Sequence, residues 1–353
     1  MQTSPVARIL FGVYVLLAIY ASLYPLSGWR DQGLSPFAYL ASPWPRYVTG
    51  FDLAANLLGY LPFGILCIAA LQPRLKGVAA FALTLATAGG LSLVLEALQS
   101  YLPARVATNL DVLCNVAGAA AGALVALAAA PRLLIGEPLR RLRAASFLPG
   151  VGIDVGLVLL GLWLFTQLNP ATLLFAAGDL RDLFSAGREE VRPGFFVAVE
   201  AITASANLVA VGLLLSVIVH REQPPHALFV ALVVAALVVK TAAYGIVMHT
   251  GNVLAWMTLG AQIGLAAGMV LALALMSLPR TARLAVAAML VMAATVLVNL
   301  APANPYLAAS LKVWQQGHFL NFNGLTRLVT AAWSFAALAY LFWLAARKPE
   351  SVG

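Results

Sequence analysis

Seven polar side chains in the first third of the sequence fall at spacings that would let them act together. Asp52 and Asn56 are four apart, Glu96 and Gln99 three apart, and Asp111 and Asn115 four apart, with Arg105 between the last two pairs. On a helix, residues three or four apart share one face. Carboxylates, amides and a guanidinium gathered in this way suit two kinds of chemistry. They could hold an anionic or sugar-bearing headgroup, with Arg105 contacting the anion and the other groups taking hydrogen bonds. They could also run acid–base chemistry, with Glu96 as general base, Asp111 or Asp52 orienting it, and Arg105 stabilising a phosphate or an oxyanion.

The elements that must position these residues are long apolar runs. The chain is 62% hydrophobic and 10% charged, with a mean hydropathy of +0.92. A soluble chain of this length carries roughly a quarter charged residues, so lipid is the solvent this composition suits. The runs are about 20 residues long and show no strand alternation, which selects helices. The sequence predicts an all-α, polytopic transmembrane bundle of ten helices near 6–26, 51–71, 78–100, 111–131, 150–169, 194–219, 227–249, 253–277, 284–301 and 327–346. Asp52 and Asp111 then open the second and fourth helices, and Glu96 closes the third. Alternating direction brings all three to the same membrane surface. An aspartate at a helix N-terminus is stabilised by the dipole and is also a plain capping residue. Glu96 at a C-terminus is disfavoured there, and Arg105 is its nearest cationic partner. Gly118 and Gly122 have the spacing of a helix-packing face.

Charge sets the expected orientation. The net charge is +8, but the basic residues lie in short connections between apolar runs, which reads as topology and not as nucleic-acid binding. Twelve basic residues fall in one set of loops and eight in the other, with the densest stretch from Arg132 to Arg143. The richer set is assigned to the cytoplasm, with both termini there. The first helix is read as an uncleaved anchor, since Val6–Leu26 is long and lacks a small-x-small cleavage site. Segments 27–50, 101–110, 170–193 and 302–326 then face outward, with Trp29, Trp44, Tyr47, Tyr101, Tyr306 and Trp314 as interfacial aromatics, and 170–193 is expected to form a short amphipathic surface helix. The chain divides into an N-terminal anchor with its outer loop (1–44), a helical core (45–131) and a C-terminal helical region (132–353).

The pattern Asp52-x3-Asn56-x5-Pro62-x-Gly64, Glu96-x2-Gln99-x3-Pro103-x-Arg105, Asp111-x3-Asn115-x2-Gly118-x3-Gly122 resembles the VanZ-like family of membrane proteins over about residues 45–130. The family often shows an acidic residue shortly before the position of Asp111; in this chain Asn109 is nearby. The resemblance implies a multi-pass protein of the bacterial inner membrane. It also implies a link to the cell envelope, because some members are associated with resistance to the glycopeptide teicoplanin. It implies no settled activity. A non-enzymatic role toward a lipid-linked envelope precursor is the favoured expectation. An intramembrane enzyme and a membrane-protein assembly factor are the alternatives.

The second half holds four polar residues deep in apolar runs: Glu200, Lys240, Gln262 and Asn207. Intramembrane charges are costly and mark sites, so Glu200 and Lys240 are expected to form a buried ion pair beside an outward-opening cavity. A second outer cluster precedes the last helix, with His318, Asn321, Asn323 and Arg327. Ala55-Asn56-Leu57 recurs as Ala206-Asn207-Leu208, and Gly118-x3-Gly122 as Gly260-x3-Gly264, a faint parallel repeat. No nucleotide-binding loop, nucleophile elbow or zincin motif is present, and Cys67 and Cys114 have no metal spacing, so no cofactor or metal is expected.

Overall fold

A computed structural model describes residues 5–33, 35–45, 47–129, 137–181, 193–220, 222–248, 252–300 and 320–347. Among them all extended regular structure is helical: α1 (Pro5–Leu23), α2 (Gly50–Leu71), α3 (Gly77–Gln99), α4 (Asn109–Ala129), α5 (Glu137–Ser146), α6 (Val151–Thr166), α7 (Pro193–Ile218), α8 (Pro225–Met248), α9 (Leu259–Leu275), α10 (Arg280–Leu300) and α11 (Leu320–Ala346), with a 3-10 turn at Ala38–Ala41. Every one of the ten apolar runs is a helix, and α5 is an addition. Eight of these helices are long and apolar enough to cross a membrane, while α6 and α9 are shorter. The chain is a polytopic helical membrane protein. It forms two compact units, Met1–Ala145 and Ser146–Gly353.

In the first unit α2 starts on a capping box: the Thr49 side chain accepts from the Asp52 N–H, and the Asp52 carboxylate accepts from the Thr49 backbone. Pro62 interrupts the α2 ladder, and the hydroxyl of Tyr14 on α1 donates to the nearby Gly59 carbonyl. The tightest packing joins α2 to α4. A Cβ on Gly118 would collide with the Leu57 carbonyl, one on Gly122 with the Leu61 carbonyl, and one on Gly64 with the Ala119 carbonyl. The small residues at 118 and 122 are thus a backbone-to-backbone seam. Phe63, Cys67, Ala88 and Ala119 form the core beside it.

In the second unit α7 runs through the middle, and Gly260, Gly264 and Gly268 bring α9 onto it. Both units therefore contain a glycine seam between helices two apart in sequence. The repeat expected from sequence does not hold in register, however. Gly118 sits on Leu57, whereas the glycine that touches Leu208 is Gly268, eight residues beyond Gly260.

Two boundaries differ by more than four residues from those the sequence predicts. α9 begins at Leu259, because Asn252 holds a turn through the Leu254 N–H and Thr258 caps the helix through the Ala261 N–H. α11 begins at Leu320, so Asn321, Asn323 and Arg327 lie in its first two turns and not in a preceding loop. Of the segment 170–193, expected to form a short surface helix, residues 170–180 are non-helical chain inside the unit, and 182–192 lie outside the described residues. Asn169, Leu174, Phe175 and Ala177 are each exposed by 2% or less. Its run Leu173–Ala177 is apolar and packs against Trp163 and Phe196.

Candidate functional site

The first unit collects its polar residues where α2 and α4 begin and α3 ends. Thr108, just before α4, links them. Its backbone N–H donates to Glu96 Oε2 at 2.9 Å, and its hydroxyl accepts from the Asp111 N–H at 3.0 Å. Asp111 Oδ1 in turn accepts from Asn56 Nδ2 at 2.6 Å. One hydrogen-bonded chain, Glu96–Thr108–Asp111–Asn56, thereby ties three helices together. One turn deeper, Asn115 Nδ2 donates to Ser92 Oγ at 2.9 Å. Glu96 and Asn115 are 4% and 5% exposed, and Asn115 Oδ1 is buried with no hydrogen-bond partner. The pairs Asn56/Tyr60, Ser92/Glu96 and Asp111/Asn115 each present two residues four apart, one pair per helix.

Arg105 lies beside Glu96 and within its field. Burial pushes its guanidinium down from the usual value, and the Glu96 carboxylate opposes this. Part of its fork is engaged by backbone. Nε and one terminal nitrogen donate to the Tyr24 carbonyl at 2.9 and 2.6 Å, and the same nitrogen reaches the Ala21 carbonyl at 3.1 Å. Gln99 Nε2 donates to the Ser22 carbonyl at 3.0 Å. Both side chains thus satisfy acceptors at the end of α1, where a helix leaves carbonyls without donors and favours a cation.

Residues 24–33, 35–45 and 47–49 fold over this end of the unit. Arg30 N–H donates to the Tyr101 carbonyl, Gln32 to the Ser100 carbonyl and Asn109 to the Ser42 carbonyl. Tyr39, 6% exposed, donates to the Leu93 carbonyl at 3.1 Å; burial and the Glu96 carboxylate push its hydroxyl up from the usual tyrosine value. Around this cover the apolar residues Phe37, Leu40, Trp44 and Tyr47 are exposed, Tyr47 at 96%. Exposed aromatics of this kind are at home at a membrane–water interface.

Residues 11–130, which take in all these groups, match the VanZ/LLP1 family. The N-terminal unit is VanZ-like. No curated protein and no solved structure matches the chain. In the VanZ-like unit the structure brings Asn56, Glu96, Asp111 and Asn115 together and adds Thr108, Ser92, Tyr39 and Tyr60, which the sequence reading missed. Asp52 sits in its capping box at the exposed start of α2. The Thr-x-x-Asp spacing at both 49–52 and 108–111 is a readable cap signal that would have found Thr49 and Thr108. Asn109 donates to the Ser42 carbonyl, an acceptor that only a donor can satisfy.

A stability prediction separates the two aspartates. Asn56→Leu removes the Asp111 donor and is expected to cost about 1–3 kcal/mol. Asp52→Asn keeps a capping side chain and is expected to cost about 0.5 kcal/mol or less. Denaturant unfolding in one detergent checks both; equal losses would detach Asn56 from the network.

The secondary candidates fall in the second unit. Glu200 and Lys240 are 2% and 1% exposed but do not form the expected ion pair. Glu200 accepts from the Thr258 hydroxyl, and Lys240 Nζ donates to the Asn169 carbonyl, the Thr172 carbonyl and Thr172 Oγ1. An apolar groove of about 380 Å³ is lined by Ala201, Ser205, Val209 and Leu271, and neither charge lines it. Asn323 is buried in α11 with Oδ1 unpartnered, and Arg327 is partly buried. His318 and the Asn321 side chain lie outside the described residues. No cluster of metal-binding side chains occurs among the described residues.

Proposed function

We propose that the VanZ-like unit binds the headgroup of a lipid-linked cell-envelope component at the outer membrane surface. The observation that carries this reading is the Glu96–Thr108–Asp111–Asn56 chain, anchored on the buried Glu96 and lying under a cover with exposed aromatics. A carboxylate at 4% exposure is costly in a membrane protein unless it is used. The chemistry of the cluster narrows the headgroup. Arg105 directs Nε and one terminal nitrogen at the Tyr24 and Ala21 carbonyls, while the remaining carboxylate oxygens and Asn115 Oδ1 are acceptors. The cluster therefore suits a donor-rich group, such as sugar hydroxyls or an amine, better than a bare phosphate. The aromatic rim would seat the lipid portion at the interface.

The test is a lipid profile of cells carrying Glu96→Gln or Asp111→Asn in the full chain, with folding confirmed. Binding and handling predicts an envelope lipid whose distribution between leaflets changes while its structure does not. Accumulation of a new, chemically unconverted precursor would instead assign an enzyme, with Glu96 as the base. Unchanged lipids together with loss of a co-purifying membrane protein would assign an assembly role.

A further inference from the structure

The second unit contains an unwound stretch of backbone in its interior. α6 ends at Thr166 after 16 residues, and the chain from Gln167 to Leu180 is non-helical yet largely buried. Inside a membrane protein such backbone is tolerated only where protein groups or a wet cavity satisfy it. Here other helices supply those groups. Asn299 on α10 donates to the Gly178 carbonyl and accepts from the Leu180 N–H, and the Thr330 carbonyl on α11 accepts from the Gly178 N–H. Phe175 is held at φ +58° with its ring stacked on Trp163 at 5.3 Å. A bulky residue with positive φ stores strain, and strained backbone clusters at sites.

The carbonyls at the start of this stretch converge on one cation. Lys240 Nζ lies 2.7 Å from the Asn169 carbonyl, 2.8 Å from the Thr172 carbonyl and 3.3 Å from Thr172 Oγ1. Three oxygens around a cation, next to the C-terminal end of a short helix, form the arrangement by which unwound membrane helices hold monovalent cations. Gln167 Oε1, 1% exposed and without a donor, is a further acceptor at that helix end. Glu200 supplies negative charge within electrostatic reach, its carboxylate held by Thr258.

We propose that the unwound segment after α6 is a monovalent-cation site whose occupant is the chain's own Lys240 ammonium, held by the oxygens of Asn169 and Thr172. Removing the tethered ammonium opens the site to a free small cation. The experiment compares the full-length wild type and Lys240→Met in detergent with sodium, potassium, ammonium or choline chloride at one ionic strength. The wild type is expected to unfold at the same temperature in all four. Lys240→Met is expected to unfold at least about 5 °C lower in choline and to recover, in a saturable way, with at least one small cation. Adding Thr172→Val to Lys240→Met is expected to weaken that recovery. A Lys240→Met protein as stable as wild type in choline would overturn the proposal, as would one equally destabilised in every salt. If the variant accumulates in no salt, the wild-type Lys240 Nζ resonance decides. A three-proton ammonium with slowly exchanging protons supports the site, and a neutral amine overturns it.

Discussion

Gly118→Leu is expected to abolish the folded VanZ-like unit, at a cost above about 3 kcal/mol. Any side chain at 118 is directed at the Leu57 carbonyl, and a backbone group cannot swing aside as a flexible side chain would. To admit it, α2 and α4 must separate along the seam they share through Gly64, Gly118 and Gly122. The Asn56–Asp111 hydrogen bond bridges the same two helices at 2.6 Å, so the polar cluster is lost with the seam. A built-in control exists on the neighbouring helix. A Cβ at Gly90 meets nothing within 4 Å, so Gly90→Ala is expected to be neutral or to stabilise by up to about 1 kcal/mol. The fraction of monodisperse protein after extraction, and its unfolding midpoint, read both. A well-folded Gly118→Leu protein would mean that the helices are not in backbone contact.

Arg105→Ala carries the second large effect. It strips donors from the Tyr24 and Ala21 carbonyls in a half-buried setting, at an expected cost of about 3 kcal/mol. Lysine cannot reproduce the planar fork, so Arg105→Lys is expected to restore about half of that or less. The readout that separates clamping from ligand contact is local. A cysteine placed at Ser22 should react faster with a water-soluble thiol reagent in the Arg105→Ala background, because the end of α1 is released. Were Arg105 an anion contact, ligand binding would fall while that reaction rate stayed the same.

The helices were legible because apolar runs of membrane length leave little choice of structure. Their ends were less so where capping overrode hydropathy. Val253–Met257 is as apolar as a helix turn, yet Asn252 and Thr258 set the chain into a turn and delay α9. At the candidate site, the spacing of Asn56, Glu96, Asp111 and Asn115 was enough to place them on facing helices. The role of Arg105 was not legible, because its partners are backbone carbonyls, which sequence does not mark. The same holds for Lys240. Pairing it with Glu200 followed from charge, the only partner that sequence displays. The partner the fold supplies is a stretch of carbonyls that exists only because α6 stops short. Residues 170–180 were expected at the surface for a related reason. Nothing in their composition shows that Asn299 and Thr330 wait inside to receive their peptide groups.

The fastening of α1 has a mechanical consequence. At one end Arg105 and Gln99 grip its last carbonyls, and at the other its own Arg8 reaches the Ala70 carbonyl near the end of α2. α1 is thus a strut about 28 Å long, pinned at both extremities to neighbours that also carry the polar cluster. A displacement of the stretch between α3 and α4, which carries Arg105, therefore loads α1 at one end while Ala70 of α2 holds it at the other.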